Sequence, residues 1–236
     1  MALIGQRVVI FDNDTQVGEA AARLAAALGA KVTLVKHEPG AVLGVERPGP
    51  ALYETVSLDL SRPAAVDAWL AAFPGPIDHL LIGHFAGPEP LSGAVGENRP
   101  PWTGAYQWAY DLARRRGPGV GQSVALFSGP VVIPAGPGGA SIAAEVADGY
   151  LRGLAQALQP LRVNAVWTEP IRSPLPADAP VQARQALYLS SAPHTRSRSD
   201  IGEDVAGALL YLMNGPALSG SVLRISHAAP VPAEAW

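Results

Sequence analysis

Hydrophobic positions along this chain fall into two alternating rhythms. Residues 5–35 open with the apolar run Val8-Val9-Ile10-Phe11 and pass through the polar turn Asp12-Asn13-Asp14-Thr15-Gln16. An alanine-rich stretch to Leu28 follows, and the segment ends in a second apolar run, Val32-Thr33-Leu34-Val35. Short apolar runs bounded by turn residues read as strands covered on both faces, and the stretch between them has the length and alanine content of a helix. The segment predicts a βαβ unit with parallel strands and a right-handed crossover. Gly29 stands where a helix C-cap is expected.

The alternation continues. Thr55–Leu60, carrying Asp59 near its end, predicts a strand, Pro63–Phe73 a helix, and Ile77–Ile82 a strand running into Gly83-His84-Phe85-Ala86-Gly87. Residues 86–101 are rich in Gly and Pro and read as a loop; Thr103–Arg116 reads as a helix, Ser123–Phe127 as a strand, and Ser128–Gly139 as a second loop. Then come a long helix over Ser141–Leu158, a strand over Leu161–Trp167, and a connection over 168–199 with one helix near Val181–Leu189. A helix over Ile201–Met213 and a last strand over Ser221–Ile225 complete the pattern. Seven strands alternating with helices, without an internal repeat, predict one α/β domain over 1–236: a doubly wound, Rossmann-like parallel seven-stranded sheet.

Composition narrows the function. A chain that is 48% hydrophobic and 16% charged can bury a large core, so disorder is excluded. A net charge of −3 and the lack of a basic block argue against a nucleic-acid partner; Arg114-Arg115-Arg116 reads as a solvated helix end, where cations are favoured. The absence of cysteine removes disulfides, thiolate metal sites and a cysteine nucleophile together, and the five histidines show no metal-ligand spacing. No uninterrupted apolar run reaches the ~18 residues of a spanning helix, and the start Met1–Arg7 lacks a long apolar segment. The expectation is a cytoplasmic protein with no membrane partner and no metal.

Three further tags appear in order: Arg162-Val163-Asn164-Ala165-Val166 after the long helix, Glu203-Asp204-Val205-Ala206 opening the late helix, and Leu218-Ser219-Gly220-Ser221-Val222-Leu223 before the last strand. With the order of elements, they make nearly the whole chain resemble the short-chain dehydrogenase/reductase family. Fold does not carry function with it, so the site is read residue by residue.

The family's dinucleotide loop uses three glycines, for a tight turn, for close approach to the pyrophosphate and for packing the helix on the strand. In the matching segment only the packing glycine, Gly18, is kept; Asp12 stands at the first glycine position and Gln16 at the second. Asp12 and Asp14 either cap the helix or face a ligand. In both cases they oppose a diphosphate at a helix N-terminus that would otherwise attract it.

The resemblance also implies a serine and a tyrosine that polarise the substrate carbonyl, with a lysine four residues after the tyrosine lowering its pKa. Aligning Arg152-Gly153-Leu154 with the usual helix puts Ala144 at the tyrosine position and Asp148 at the lysine position, and the nearest tyrosine, Tyr150, lies in the following turn. The chain holds two lysines, Lys31 and Lys36, both before the second loop. Ser128 precedes the family's serine position, which here is Gly129, and reads as a strand-end hydroxyl. The asparagine-rich turn after the fourth strand is replaced by Gly83-His84-Phe85-Ala86-Gly87, the proline-glycine near the nicotinamide by Thr168-Glu169, and the last Asp-Gly-Gly by Ser226-His227-Ala228. The middle helix has no asparagine. Asp59, which in the family lies beside the adenine, is retained. No catalytic residue and no bound cofactor are expected for this chain.

Two classes of function follow, with a weaker third. In the first, the chain is a non-catalytic subunit of a hetero-oligomer, expected to be a tetramer, whose active short-chain dehydrogenase partner carries the NAD. Such enzymes associate through their long helices and last strand, and Tyr106 and Tyr110 on the middle helix, beside Trp102 and Trp108, with Trp236 in the tail, are candidate contact aromatics as well as candidate core. In the second, a nicotinamide-independent enzyme reuses the old pocket with His84 or His227, aided by Glu145, Asp148 or Glu169, as acid and base. The related dehalogenases keep serine, tyrosine and an arginine four residues on; here Tyr150 is followed at that spacing by Leu154. The third is a ligand-binding module in the vacated crevice.

Overall fold

The apolar runs become strands because both of their faces meet helices. The computed structural model describes residues 3–12, 16–41, 44–46, 52–60, 62–83, 109–113, 120–128, 139–168 and 198–225. In chain order these form β1 (Arg7–Asp12), α1 (Gln16–Ala27), β2 (Lys31–His37), β3 (Gly44–Glu46), β4 (Glu54–Leu58) and α2 (Pro63–Ala72). Next come β5 (Ile77–Ile82), β6 (Val120–Ser128), α3 (Gly139–Ala157), β7 (Arg162–Thr168), α4 (Arg198–Asn214) and β8 (Val222–Ile225). Residues 109–113 are helical as well.

The strands form one sheet in the order β3-β4-β2-β1-β5-β6-β7-β8. Seven run parallel, as the apolar pattern predicts, and β3 pairs antiparallel with β4 at one edge. From β1 the chain winds to β2 and β4 on one side and then crosses to β5 on the other, so the order reverses between β1 and β5. In an open α/β sheet the crevice outside the carboxyl ends of those two strands is where ligands bind.

Alternation along β1 divides the core. Val9 and Phe11 face one layer with Val56, Trp69, Leu151, Leu154 and Val163. Val8 and Ile10 face the other with Ala21, Ala25, Leu34, Val205, Leu209 and Met213. The edge of Trp69 meets the ring of Phe11 at 84° with centroids 5.7 Å apart, a favoured geometry for buried aromatics. Helix α1 ends at Gly29 with a φ of +92°: Gly29 N–H bonds the Ala26 carbonyl at 2.9 Å and Ala30 N–H the Ala25 carbonyl at 3.1 Å. That pair is a Schellman cap, and it needs a residue at home in the left-handed region.

Asn164, within one of the family-like tags, is buried and pins the turn before β8. Its Oδ1 accepts from Ser221 N–H at 3.1 Å and its Nδ2 donates to the Leu218 carbonyl at 2.9 Å. The structure corrects several boundaries. The strand expected over 55–60 runs from Glu54 to Leu58, leaving Asp59 just beyond it, and β6 starts at Val120 through an irregular pairing with Ile77. Ser128 is the last residue of β6, as a strand-end serine should be. The expected loop over 86–101 and the helix near 181–189 lie outside the described residues.

Candidate functional site

The carboxyl edge of β1, β2, β4 and β5 is the candidate site by topology, and several of its described polar groups are bonded within the chain. Asp12, the last residue of β1, is 1% exposed. A Cβ placed on Gly18 in the first turns of α1 would overlap Asp12 Oδ2, and one placed on Gly83 would lie 2.9 Å from Asp12 Oδ1 and 2.9 Å from the Phe127 ring. The Asp12 carboxyl therefore lies in the gap between helix α1 and the end of β5, with two glycines as its walls. Gly83 N–H also bonds the Phe11 carbonyl at 2.8 Å, which fixes that wall. A phosphate charge ~4 Å from this carboxylate would meet roughly 4 kcal/mol of repulsion at an effective dielectric near 20.

The next positions along the edge are equally committed. Lys36, opposite Asp12 in the strand register, donates to Glu19 Oε1 at 2.7 Å. His37 Nδ1 accepts from Leu60 N–H at 3.1 Å, so it stitches the end of β2 to the segment after β4. Asp59, the one cofactor-side residue the resemblance retains, is 5% exposed and its Oδ2 accepts from Gly40 N–H at 2.9 Å. These bonds tie the end of β2 to α1 and to the segment after β4, and that segment to the turn after β2.

On α3 the structure places Ala144 and Asp148 one turn apart, and no position from 139 to 149 carries a tyrosine or a lysine. Asp148 turns to the neighbouring strand: Arg224 of β8 donates to its Oδ2 at 2.6 Å. Among the described residues, Asp148 Oδ1 has no hydrogen-bond partner although the atom is buried. Tyr150 points to solvent, half exposed. Gln16 opens α1. His84, His227, Gly129, Asp14 and Glu169 lie outside the described residues, so the structure brings neither histidine to the edge nor away from it. No group of three or more potential metal ligands occurs among the described residues.

One buried polar cluster escaped the sequence reading, at the opposite, amino edge of the sheet. His79 of β5 is 1% exposed, with Ser123 Oγ 2.7 Å from its Nδ1 and Gln6 Oε1 2.8 Å from its Nε2. Gln6 Oε1 can only accept, so Nε2 carries the proton and Nδ1 accepts from the serine hydroxyl. Burial lowers the His79 pKa from 6.5 to about 4; neighbouring Asp78 opposes the shift and Arg162 adds to it. His79 is a neutral imidazole at neutral pH. Its only sequence sign was a polar pair, Asp78-His79, inside an otherwise apolar strand.

The architecture defines the class: a seven-stranded parallel, doubly wound sheet of the kind found in short-chain dehydrogenases/reductases. No protein-family profile matches the chain, and no curated protein matches it in sequence. Solved structures do. The ligand-free aldohexose dehydrogenase of Thermoplasma acidophilum superposes with a TM-score of 0.61 at 18% identity, over 97% of this chain and 97% of that one. The MalC reductase/Diels-Alderase of Malbranchea aurantiaca gives a TM-score of 0.61 at 24% identity, over 94% and 95%. A short-chain dehydrogenase/reductase of Serratia marcescens gives 0.59 at 18% identity, over 96% and 98%. At these identities the likeness is one of fold. No helix among the described residues is long and apolar enough to cross a membrane.

Proposed function

We propose that this chain is a catalytically inactive, degenerate member of the short-chain dehydrogenase/reductase family, serving as the structural subunit of a hetero-oligomer whose active partner of the same family carries NAD. The observation that carries the reading is the Asp12 carboxyl, buried against Gly18 and Gly83 where a diphosphate would approach the α1 N-terminus. The residues of this edge do not fit a dinucleotide: one glycine of three remains, and a buried carboxylate takes the position a phosphate needs. The absence of a tyrosine at 144 and of a lysine at 148 on α3 points the same way, since the paired proton donor and the group that would tune it are both missing at those positions.

A structural subunit needs a surface to offer. Tyr150 on α3 and Tyr211 on α4 are 50% and 53% exposed, and large aromatics are favoured at protein interfaces. Tyr110 is partly buried against the core and is withdrawn from the candidate contact set; Trp102, Tyr106, Trp108 and Trp236 lie outside the described residues. For the complex we propose an NAD-dependent alcohol dehydrogenase acting on a hydroxyacyl-CoA such as 2-(hydroxy(phenyl)methyl)succinyl-CoA, by analogy with the pairing of an inactive and an active subunit in that enzyme. A cytoplasmic location accords with this reading.

Native mass spectrometry of tagged protein recovered from its own host tests the proposal. The expected result is a fixed-ratio complex, a tetramer, with a second short-chain dehydrogenase, NAD being retained on that partner alone. A homo-oligomer without a partner overturns it and turns attention to His84, His227 and the edge they follow in sequence.

A further inference from the structure

The amino edge of the sheet holds a cavity of about 420 Å³, on the side away from the crevice discussed so far. It opens between the starts of β5, β6 and β7 and the carboxyl end of α4, and Gln6, His79, Gln122, Arg162 and Asn214 are among its walls. Its volume lies in the range of small-molecule sites. Its lining is polar, with Arg162 as the one charged side chain. Arg162 donates to the carbonyls of Leu212 at 3.0 Å, Met213 at 2.6 Å and Gly215 at 2.7 Å, so its cation is set against the negative end of α4. Asp78 stands nearby with the opposite charge, 3.8 Å from where a Cβ on Gly121 would sit. His79 has both ring nitrogens engaged and adds no free lone pair.

Three carboxamides remain. Gln6 uses its oxygen on His79 and keeps its amide N–H groups. Asn214 uses its amide nitrogen on the Leu210 carbonyl at 3.0 Å and keeps its oxygen. Gln122 is exposed at the rim with both functions. Donors and acceptors thus both line the cavity, in a wall whose one cation is already bonded to three carbonyls.

We infer that this cavity binds an uncharged, planar ligand that presents a donor and an acceptor together, of the primary carboxamide or lactam class. An anion would have to compete with the α4 carbonyls for Arg162. An apolar ligand would strip water from the three amides without replacing its hydrogen bonds. The site is at the opposite edge from Asp12, so it stands whether or not the chain is a silent subunit.

The test is an NMR titration of the full-length protein with nicotinamide and with uracil as neutral probes, and with acetate as the charged comparison, observing the His79 ring and the Gly121 amide. Saturable shifts with at least one neutral probe, little response to acetate, and at least a tenfold weaker affinity in Gln122→Leu are the expected results. Among the described residues, the Gln122 side chain is exposed and makes no hydrogen bond within the fold, so that variant should retain the wild-type melting temperature and His79 signals. No saturable shift up to the solubility of either neutral probe, an equal response to acetate, or unchanged affinity in Gln122→Leu overturns the inference.

Discussion

Gly18 and His79 show how single positions govern this molecule. Because Asp12 lies where a Gly18 side chain would go, Gly18→Ala should destabilise the protein by about 1–3 kcal/mol through overpacking. In an Asp12→Gly background the sign should reverse. The space is then free, and alanine in a helix is favoured over glycine by about 1 kcal/mol. Urea unfolding of the two single variants and the double variant measures this coupling; additive effects would show that the two residues do not press on each other. His79 makes a second residue-level prediction. Its pKa is 6.5 unfolded and about 4 folded, so the unfolded chain binds the extra proton between those values, and stability must fall as pH falls from 6.5 towards 4. The contribution is fully present above pH 6.5 and about 2 kcal/mol of it is gone by pH 5. Comparing unfolding free energies at pH 7 and pH 5 for the wild type and His79→Gln checks this, since the variant should lack that part of the slope. Neither residue declared its role in the sequence. Gly18 read as the last trace of a nucleotide loop, with its contact to Asp12 hidden. His79 sits in Ile-Asp-His-Leu-Leu-Ile, where nothing local reveals that Gln6 and Ser123, 73 and 44 residues away, will meet its two nitrogens.

At the level of elements, periodicity made most of the fold legible: α2, β5, α3, β7, α4 and β8 lie within a few residues of the expected spans. Strand β3 was missed because three residues, Gly44-Val45-Glu46, carry no period; their pairing is supplied by the free edge of β4. The same dependence on a neighbour explains the early start of β6, whose Val120 is drawn in by Ile77. Helix α4 owes its end to another element as well. Arg162 from β7 collects two of its terminal carbonyls, groups that a helix cannot satisfy internally, and that of Gly215 just beyond it. Arg162→Ala should cost about 2–3 kcal/mol, and Arg162→Lys should recover only part of it, because an ammonium lacks the planar fork that reaches three acceptors. Hydrogen exchange at the last turn of α4 would report the loss locally; unchanged protection there would show that the cap is not needed. For α3 the expectation is negative. Ala144→Tyr with Asp148→Lys should yield no dehydrogenase turnover, as measured by NADH formation over a panel of alcohols, because Asp12 and Gln16 still oppose the cofactor. Turnover in that double variant would refute the account of the loop.

Over the whole molecule, the parallel sheet gives the chain two chemically different ends. Among the described residues, Lys36, His37 and Asp59 at the carboxyl end are bonded within the chain and Asp12 is buried, whereas the amino end keeps an open, polar cavity. The fold class could be read from the sequence, since it rests on the order of apolar and polar runs along the chain. The bonding along the carboxyl edge could not, since it rests on distances between loops. If the reading as a silent subunit is right, isothermal titration of the isolated chain with NAD should show no binding at millimolar cofactor, and the purified partner should recover stability when this chain is added. The Asp12 contact also couples two positions of the chain. With the carboxyl pressed on Gly18, the helix glycine cannot gain a side chain until residue 12 shrinks. Gly18 is thus held in place by its neighbour, and its presence is no measure of affinity for a nucleotide.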